Sequence, residues 1–291
     1  LMDVARASTK GSFFLFIGNA SSTIILALGS ILIARLLGPE NYGLYTVALI
    51  IPSFLTAITD LGISPALTRF SASLKIQGRP EKANRLIKTG ITFKLVSSLL
   101  LAMILVVSSD VIAANMLKRP EMSILIKLGA LYLIGQSIYV AINSALIGLD
   151  KVGIAGLIMN IQAAAKFASS VLLIILGFAV SGAILGIGLG FAIAALTGLA
   201  LAALHMNSKT VDDPSERMGF LDDLKTMVNY GIPLYVSSMV LGILTQYRSV
   251  ILALFASSAE IGNYHTAINF SVLITFCLLY TSPSPRDRQK S

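Results

Sequence analysis

The chain has 291 residues, of which 55% are hydrophobic and only 12% are charged, and it carries a formal net charge of +8. Water-soluble domains contain about 25% charged residues, so this composition excludes a soluble globular protein of this size. A single cysteine, Cys277, excludes a disulfide framework, and His205 and His265 lie too far apart in sequence to suggest a metal site. We expect no metal and no other cofactor. We also expect no nucleic-acid partner, because the basic residues in such a chain serve as a topological signal.

Eight apolar stretches of the sequence meet the length of about 20 residues that a membrane-spanning helix needs. The chain is therefore predicted to be an all-α integral membrane protein, a multi-span bundle of about eight transmembrane helices. The predicted spans cover residues 11–34, 42–67, 89–109, 123–149, 152–176, 183–204, 230–255 and 263 onward. Gly38-Pro39 predicts a sharp turn, Pro52 and Pro65 predict kinks in the second span, and the glycines at 177 and 182 predict the turn between the fifth and sixth spans.

The distribution of Lys and Arg predicts the orientation of the chain. Twelve basic residues fall in segments on one side of this arrangement and four fall on the other. Cytoplasmic segments of membrane proteins are enriched in Lys and Arg, so we place the N-terminus in the cytoplasm. The segment 69–88 holds six of these basic residues. We interpret it as a topogenic cytoplasmic loop, with contact to anionic lipids as the alternative.

The sequence also predicts how the chain is divided. Residues 1–205 contain the first six spans and form the first lobe, and residues 230–276 form the first hairpin of a second lobe. Residues 206–229 are the longest polar stretch, with Met218, Leu221, Leu224 and Val228 at helical spacing. They are predicted to form an amphipathic linker on the cytoplasmic surface. Residues 277–291 break into Ser, Pro and Arg and are interpreted as a non-native tail.

A row of glycines marks one face of the sixth span. Gly182, Gly186 and Gly190 recur at every fourth residue, so that face presents bare backbone. Rows of small residues allow helices to approach closely in lipid. We predict a close helix contact here, either as static packing or as a face that slides when the protein changes conformation.

The seventh and eighth spans repeat features of the first and second. Residues 43–48 and 262–267 share the pattern Gly-x-Tyr-x-x-Ala at an offset of 219 residues. Six spans per repeat is an even number, so both copies would enter the membrane from the same side, as parallel repeats. We therefore expect the turns at 34–45 and 256–267 to lie pseudo-symmetrically at the outer face.

Three stretches carry a family likeness: 34–45 (ARLLGPENYGLY), 60–69 (DLGISPALTR) and 260–267 (EIGNYHTA). They resemble the polysaccharide flippases, the polysaccharide-transport branch of the MOP superfamily, to which the MATE exporters also belong. The resemblance implies a MATE-like architecture of two six-helix lobes around a central cavity. Because members of the family have more spans than this chain, we interpret it as a C-terminally truncated fragment in which the second lobe is incomplete.

The resemblance implies a transporter, not an enzyme, in the cytoplasmic (plasma) membrane of a prokaryote. Its activity would be to flip a polyprenyl-pyrophosphate-linked oligosaccharide from the inner to the outer leaflet by alternating access, for cell-surface polysaccharide biosynthesis. The implied partners are the lipid-linked saccharide, membrane lipids and polysaccharide-assembly enzymes. Two alternatives stay open: a cation-coupled multidrug antiporter of the MATE type, and a non-transporting scaffold for glycosyltransferases.

Four cations are candidates for lining a substrate cavity, because ionisable groups inside spans usually face a cavity and both Arg and Lys bind phosphate. They are Arg35, Arg69, Lys166 and Arg248. Arg35 and Arg69 end their spans, and the alternative role for both is anchoring at the membrane interface. For Lys166 the alternatives are snorkelling or burial, and for Arg248 a structural pairing. In the seventh span the flippase family often has an acid where this chain reads Gln246-Tyr247-Arg248.

Asp60 is an acid well inside a span and is the candidate coupling residue. It could pair with an Arg, take up a proton, or cap the kink near Pro65. Lys94, near the start of the third span, is expected to extend its ammonium group toward the inner surface. The membrane potential contributes about 2.3 kcal/mol per charge per 100 mV, so outward movement of an anionic head group would be favoured without ATP.

Overall fold

A computed structural model describes residues 2–205 and 219–281 of the chain. These residues are almost entirely helical and contain no strand, which confirms the all-α expectation for this part of the chain. The helices are α1 (Met2–Ala48), α2 (Ile50–Asp60), α3 (Ile63–Ile76), α4 (Pro80–Val111), α5 (Ser123–Gly148), α6 (Val152–Leu173), α7 (Ala179–His205), α8 (Phe220–Phe255) and α9 (Ser258–Thr281). Single π-helical turns, Ile112–Met116 and Ile174–Phe178, extend α4 and α6, and a 3₁₀ turn, Pro120–Met122, precedes α5.

Four apolar helical stretches in the described residues are long enough to cross a membrane: Leu15–Asp60, Pro80–Met116, Pro120–Gly148 and Val152–Leu204. The first and last measure 46 and 53 residues, enough for two crossings each. Together the four contain most of the first six predicted spans, and the last two predicted spans lie on α8 and α9. Large apolar side chains point outward, as for Val107, which is 76% exposed. The chain is therefore a multi-pass membrane protein.

Breaks in the helices occur at or near the predicted turns and kinks. Gly38 takes a φ of 74°, which glycine adopts at little steric cost, and α1 changes direction there. The kinks predicted at Pro52 and Pro65 lie a few residues earlier, at Leu49 and at the residues before α3. The reason is steric, because a proline ring clashes with the carbonyl four residues before it. Gly177, with a φ of 93°, makes the predicted turn between α6 and α7.

The glycine row of α7 packs directly on α6. A Cβ added to Gly182, Gly186 or Gly190 would lie 2.9, 2.3 or 2.6 Å from atoms of α6. At Gly190 the contact is with the backbone of Lys166. The predicted close contact is therefore confirmed, and sliding along it stays a prediction.

Loops that were assigned to the same membrane face lie together in the fold. At one end of the bundle, the ammonium of Lys75, in the last turn of α3, donates to the carbonyl of Leu149 after α5 at 2.9 Å. At the other end, Arg119 between α4 and α5 donates to the Ser258 hydroxyl at 2.7 Å. This grouping agrees with the alternation of the predicted spans. Which of the two faces is cytoplasmic stays a prediction.

The two turns that share the repeated pattern contact each other through bare backbone. A Cβ added to Gly43 would lie 1.8 Å from the carbonyl oxygen of Ser258. A Cβ added to Gly262 would lie 2.0 Å from the carbonyl oxygen of Pro39. The equivalent glycines of the two copies thus form one joint between the first lobe and the α8–α9 hairpin.

A helix cap fixes the turn that leads into α9. The backbone N–H and the hydroxyl of Ser257 both donate to the Glu260 carboxylate at 2.8 Å. The Glu260 N–H in turn donates to the Ser257 hydroxyl oxygen at 3.3 Å, completing a capping box. These bonds from Ser257 hold the pKa of Glu260 below its ordinary value.

Only residues 219–229 of the predicted linker are described by the structure. They form the first turns of α8, which continues without a break into the seventh predicted span. Asp223 and Met227 are buried, with exposed fractions of 2% and 0%, whereas Leu221 of the predicted apolar face is 74% exposed. Over these residues the linker is thus part of α8 and packs on α3 and α4; Met218 lies outside the described residues. Helix α9 reaches Thr281, inside the stretch interpreted as a tail.

The joint between the two turns has no space for a methyl group, so Gly43→Ala should destabilise the protein. Overpacking of this kind costs about 1–3 kcal/mol, and we expect a lower Tm for the purified protein in detergent. Gly153→Ala is the matched control, because nothing lies within 4 Å of a Cβ added at Gly153. Equal Tm values for the two variants would contradict the contact.

Candidate functional site

An ion pair lies buried inside the helical bundle. The Lys94 ammonium on α4 lies 2.6 Å from Oδ1 of Asp60 at the end of α2. The Lys94 side chain is only 2% exposed and the Asp60 side chain is 24% exposed. The expectation that Lys94 reaches the inner surface is therefore wrong. A carboxylate within reach stabilises the ammonium inside the bundle, so the side chain does not need to extend to water.

A break in the backbone sets the position of Asp60. Helix α2 ends at this residue, and Leu61 and Gly62 follow with φ angles of 41° and 78° before α3 begins. The Ser64 hydroxyl donates to Asp60 Oδ1 across the break. A carboxylate at the C-terminal end of a helix opposes the helix dipole, and the positive charge of Lys94 offsets this cost. Asp60 thus pairs with a lysine, not an arginine, and its bond to Ser64 spans the kink.

A cavity of about 260 Å³ opens beside the ion pair, between α2, α4 and α5. It is lined by Thr56, Ala57, Asp60, Lys94, Gln136, Ser137 and Val140. The hydroxyls of Thr59 and Ser137 lie 2.9 Å apart and tie α2 to α5 at this level. The charges of Asp60 and Lys94 offset each other, and the neutral groups of the lining can both donate and accept hydrogen bonds.

None of the four candidate cations is among the residues that line this cavity. Arg69 is exposed, with its guanidinium 4.4 Å from the centre of the Tyr230 ring on α8. Arg35 and Arg248 are exposed, and Lys166 is half-buried on α6. None of the four has a described carboxylate oxygen within 4.0 Å.

A second buried carboxylate, Asp223, is not among the candidate residues predicted from the sequence. Its side chain is 2% exposed, and Arg85 on α4 binds it with Nε to Oδ2 at 2.8 Å and Nη2 to Oδ1 at 3.4 Å. This bidentate pair joins the first lobe to α8 at the predicted cytoplasmic end. The two residues are 138 positions apart and both lie in charged segments, so neither stood out as functional.

The arrangement of the helices is that of known membrane transporters. The chain is similar to an outward-facing multidrug resistance MATE family transporter of the MOP superfamily, with a TM-score of 0.68, 19% identity, and coverage of 92% of this chain and 60% of that one. It is also similar to the inward-facing conformation of a MATE family transporter, with a TM-score of 0.63, 16% identity, and coverage of 89% and 58%. The chain therefore shares the fold of these MATE transporters and spans about 60% of the length of the first of them.

A third similar structure is a MOP superfamily transporter from Pyrococcus furiosus, with a TM-score of 0.61, 19% identity, and coverage of 94% of this chain and 72% of that one. It was described as having a binding pocket of reversed polarity that suggests a different function. Residues 8–282 match the family described as "Polysaccharide biosynthesis protein". The chain belongs to this family, and the recognition made from the sequence is confirmed. A comparison with curated protein sequences found no match.

Removing the carboxylate of Asp60 would leave the Lys94 ammonium buried without a counter-charge. Breaking such a pair costs about 3–5 kcal/mol, so Asp60→Ala should lower the Tm strongly. The double variant Asp60→Asn/Lys94→Met, which has no buried charge, should recover most of this loss.

Lys127→Met is the control for a lost ion pair at the surface. Lys127 and Asp110 lie 3.1 Å apart with side chains 33% and 68% exposed, and pairs of this kind contribute about 0–1 kcal/mol. An Asp60→Ala variant as stable as Lys127→Met would show that Lys94 is not confined in the bundle.

Proposed function

We propose that this protein flips a polyprenyl-pyrophosphate-linked oligosaccharide from the inner to the outer leaflet for cell-surface polysaccharide biosynthesis. The match of residues 8–282 to the polysaccharide biosynthesis protein family carries the proposal. The MATE-like fold supports alternating access as the mechanism. We place the protein in the cytoplasmic membrane of a prokaryote with its N-terminus inside, and polysaccharide-assembly enzymes are its proposed partners.

A cationic passage is the physical requirement of such a reaction. Moving an isolated ion through hydrocarbon costs on the order of tens of kcal/mol by continuum reckoning, so a pyrophosphate needs compensating charge along its path. Arg35, Lys166 and Arg248 suit this role, because no described carboxylate lies within 4.0 Å of them. An arginine can bind a phosphate with two parallel hydrogen bonds.

Alternating access needs contacts that form and break between the lobes. At the predicted inner end, Arg85 binds Asp223 and Arg69 covers Tyr230, both across the boundary between the first lobe and α8. At the predicted outer end, the joint of Gly43 and Gly262 lies between the first lobe and α9. We propose that these contacts close the inner and outer ends of the pathway.

The cation-coupled antiporter is the weaker candidate. A cation site needs carboxylates that are free to bind the ion, and Asp60, the acid that lies well inside a described span, is paired with Lys94. A scaffold without transport activity would not need the unpaired cations to lie inside spans. Both alternatives differ from the flippase in a measurable outcome, the leaflet in which the lipid-linked saccharide accumulates.

Arg248→Ala tests the flippase directly. In a host strain without the native protein, lipid-linked saccharide should accumulate on the inner leaflet, and the wild type should restore transfer to the outer leaflet. Loss of a charge-assisted hydrogen bond to phosphate costs about 1.5–3 kcal/mol, so we expect the variant to flip at least about tenfold more slowly. Lys225→Ala, which removes an exposed cation of the first turns of α8, is the control. Full rescue by Arg248→Ala would show that Arg248 is not needed for flipping. An unchanged leaflet distribution of the lipid-linked saccharide in the deletion strain would refute the flippase.

The membrane potential should drive the reaction. Movement of two negative charges outward, away from a negative cytoplasm, is favoured by roughly twice 2.3 kcal/mol per 100 mV. Flipping in proteoliposomes that hold the native protein should slow when an ionophore collapses an imposed potassium-diffusion potential. A rate that is independent of the potential would show that the charge of the head group is neutralised as it crosses, for example by a counter-ion that moves with it.

A further inference from the structure

We propose that the cavity beside Asp60 and Lys94 binds a single neutral sugar ring through its hydroxyl groups. The inference rests on the proposed function, because the ring would belong to the lipid-linked saccharide. It names the part of the substrate that the first lobe recognises. The pyrophosphate is a separate part, and its proposed partners are Arg35, Lys166 and Arg248.

The volume of the cavity limits the ligand to a small one. At about 260 Å³ it lies just below the range of about 300–1,000 Å³ that holds drug-sized ligands. One monosaccharide ring suits this volume, whereas a complete oligosaccharide does not. The cavity would therefore hold one ring of the saccharide and leave the rest outside.

The ion pair has hydrogen-bonding capacity left over. Oδ1 of Asp60 accepts bonds from both Lys94 and Ser64, whereas Oδ2 accepts none from the described residues. The Lys94 ammonium has three donors and uses one of them, on Asp60. Two neighbouring hydroxyls of a sugar can satisfy both groups, one donating to Oδ2 of Asp60 and the other accepting from Lys94.

Gln136 supplies a third recognition group at the same cavity. Its Oε1 is buried and accepts no hydrogen bond from the described residues, while the rest of the amide interacts with the Tyr132 side chain. A buried acceptor without a donor costs about 1–3 kcal/mol, so a ligand that supplies the donor gains this stabilisation. A sugar hydroxyl is such a donor, and Gln136 lines the cavity.

The charge balance of the lining favours a neutral ligand over an ion. The ion pair carries no net charge, so it offers neither a phosphate nor a metal cation a net attraction that would offset the cost of desolvating the ion. A polyhydroxylated ring both donates and accepts, as the lining groups do. The same cavity thus discriminates against the charged end of the substrate.

Binding of methyl glycosides to the purified chain in detergent tests this inference. The probes are the methyl glycosides of glucose, galactose, N-acetylglucosamine and rhamnose, with inorganic phosphate as the anionic probe, and saturation-transfer NMR measures the affinity. We expect saturable binding of at least one glycoside, about tenfold weaker in Gln136→Ala because one buried hydrogen bond is lost. Gln162→Ala is the matched control, because Gln162 is buried on α6 away from this cavity.

A second variant distinguishes loss of binding from loss of the fold. Asp60→Asn/Lys94→Met removes both charges together and should abolish glycoside binding while the Tm shows that the fold persists. The proposal is overturned if no glycoside binds, if phosphate competes with the glycoside, or if both variants bind like the wild type.

Flipping of the lipid-linked saccharide is measured separately. Flipping without glycoside binding would refute the cavity proposal alone, and glycoside binding without flipping would refute the proposed function alone.

Discussion

The hydrocarbon interior of a membrane offers no water to satisfy a charge or an exposed peptide group, and the fold follows from this constraint. Each break in a helix and each ionisable group in a span needs a partner within the protein. Asp60 meets this requirement at the break between α2 and α3, where Lys94 and Ser64 both bind its carboxylate. The break would otherwise expose the end of one helix and a carboxylate together. The ion pair thus allows the second predicted span to bend inside the bundle.

How far the sequence predicts this structure depends on how local each feature is. Helix positions follow from runs of apolar residues, and the break at Gly38 and the turn at Gly177 follow from local residue chemistry. The break before α3 was predicted at Pro65 and lies at Leu61-Gly62, because proline acts on the carbonyl four residues earlier. The glycine row of α7 predicts a close contact because a missing side chain is itself the signal.

Contacts between distant residues could not be predicted in the same way. Lys94 follows Asp60 by 34 positions, and Arg85 precedes Asp223 by 138. Whether two such groups meet depends on the rotation of each helix and on the crossing angle between helices, which no local pattern encodes. An isolated Lys near the start of a span favours the shortest path to water, and only the packing of α2 against α4 made the burial of Lys94 more favourable.

The two ends of the boundary between the first lobe and the α8–α9 hairpin differ in chemistry. The predicted inner end has an ion pair, Arg85 with Asp223, and a cation–π contact of Arg69 with Tyr230. The predicted outer end has the backbone contact at Gly43 and Gly262, and hydrogen bonds from Arg119 to two neutral acceptors, the Ser258 hydroxyl and the Ala256 carbonyl. Ionic contacts weaken with salt and act over several ångströms. A backbone contact acts only at van der Waals distance and does not respond to salt. The two ends should therefore respond differently to ionic strength.

The way α9 packs has a consequence for biogenesis. Within the described residues, α9 lies along α1 and has few contacts with α8, its neighbour in sequence. The Asn269 amide donates to the Tyr42 hydroxyl at 2.9 Å across this contact. A hairpin whose two helices barely touch has little reason to fold by itself as it leaves the translocon. Because N-terminal segments are synthesised first, the first lobe is in the membrane before α9 emerges and can serve as the template on which the second lobe begins to assemble.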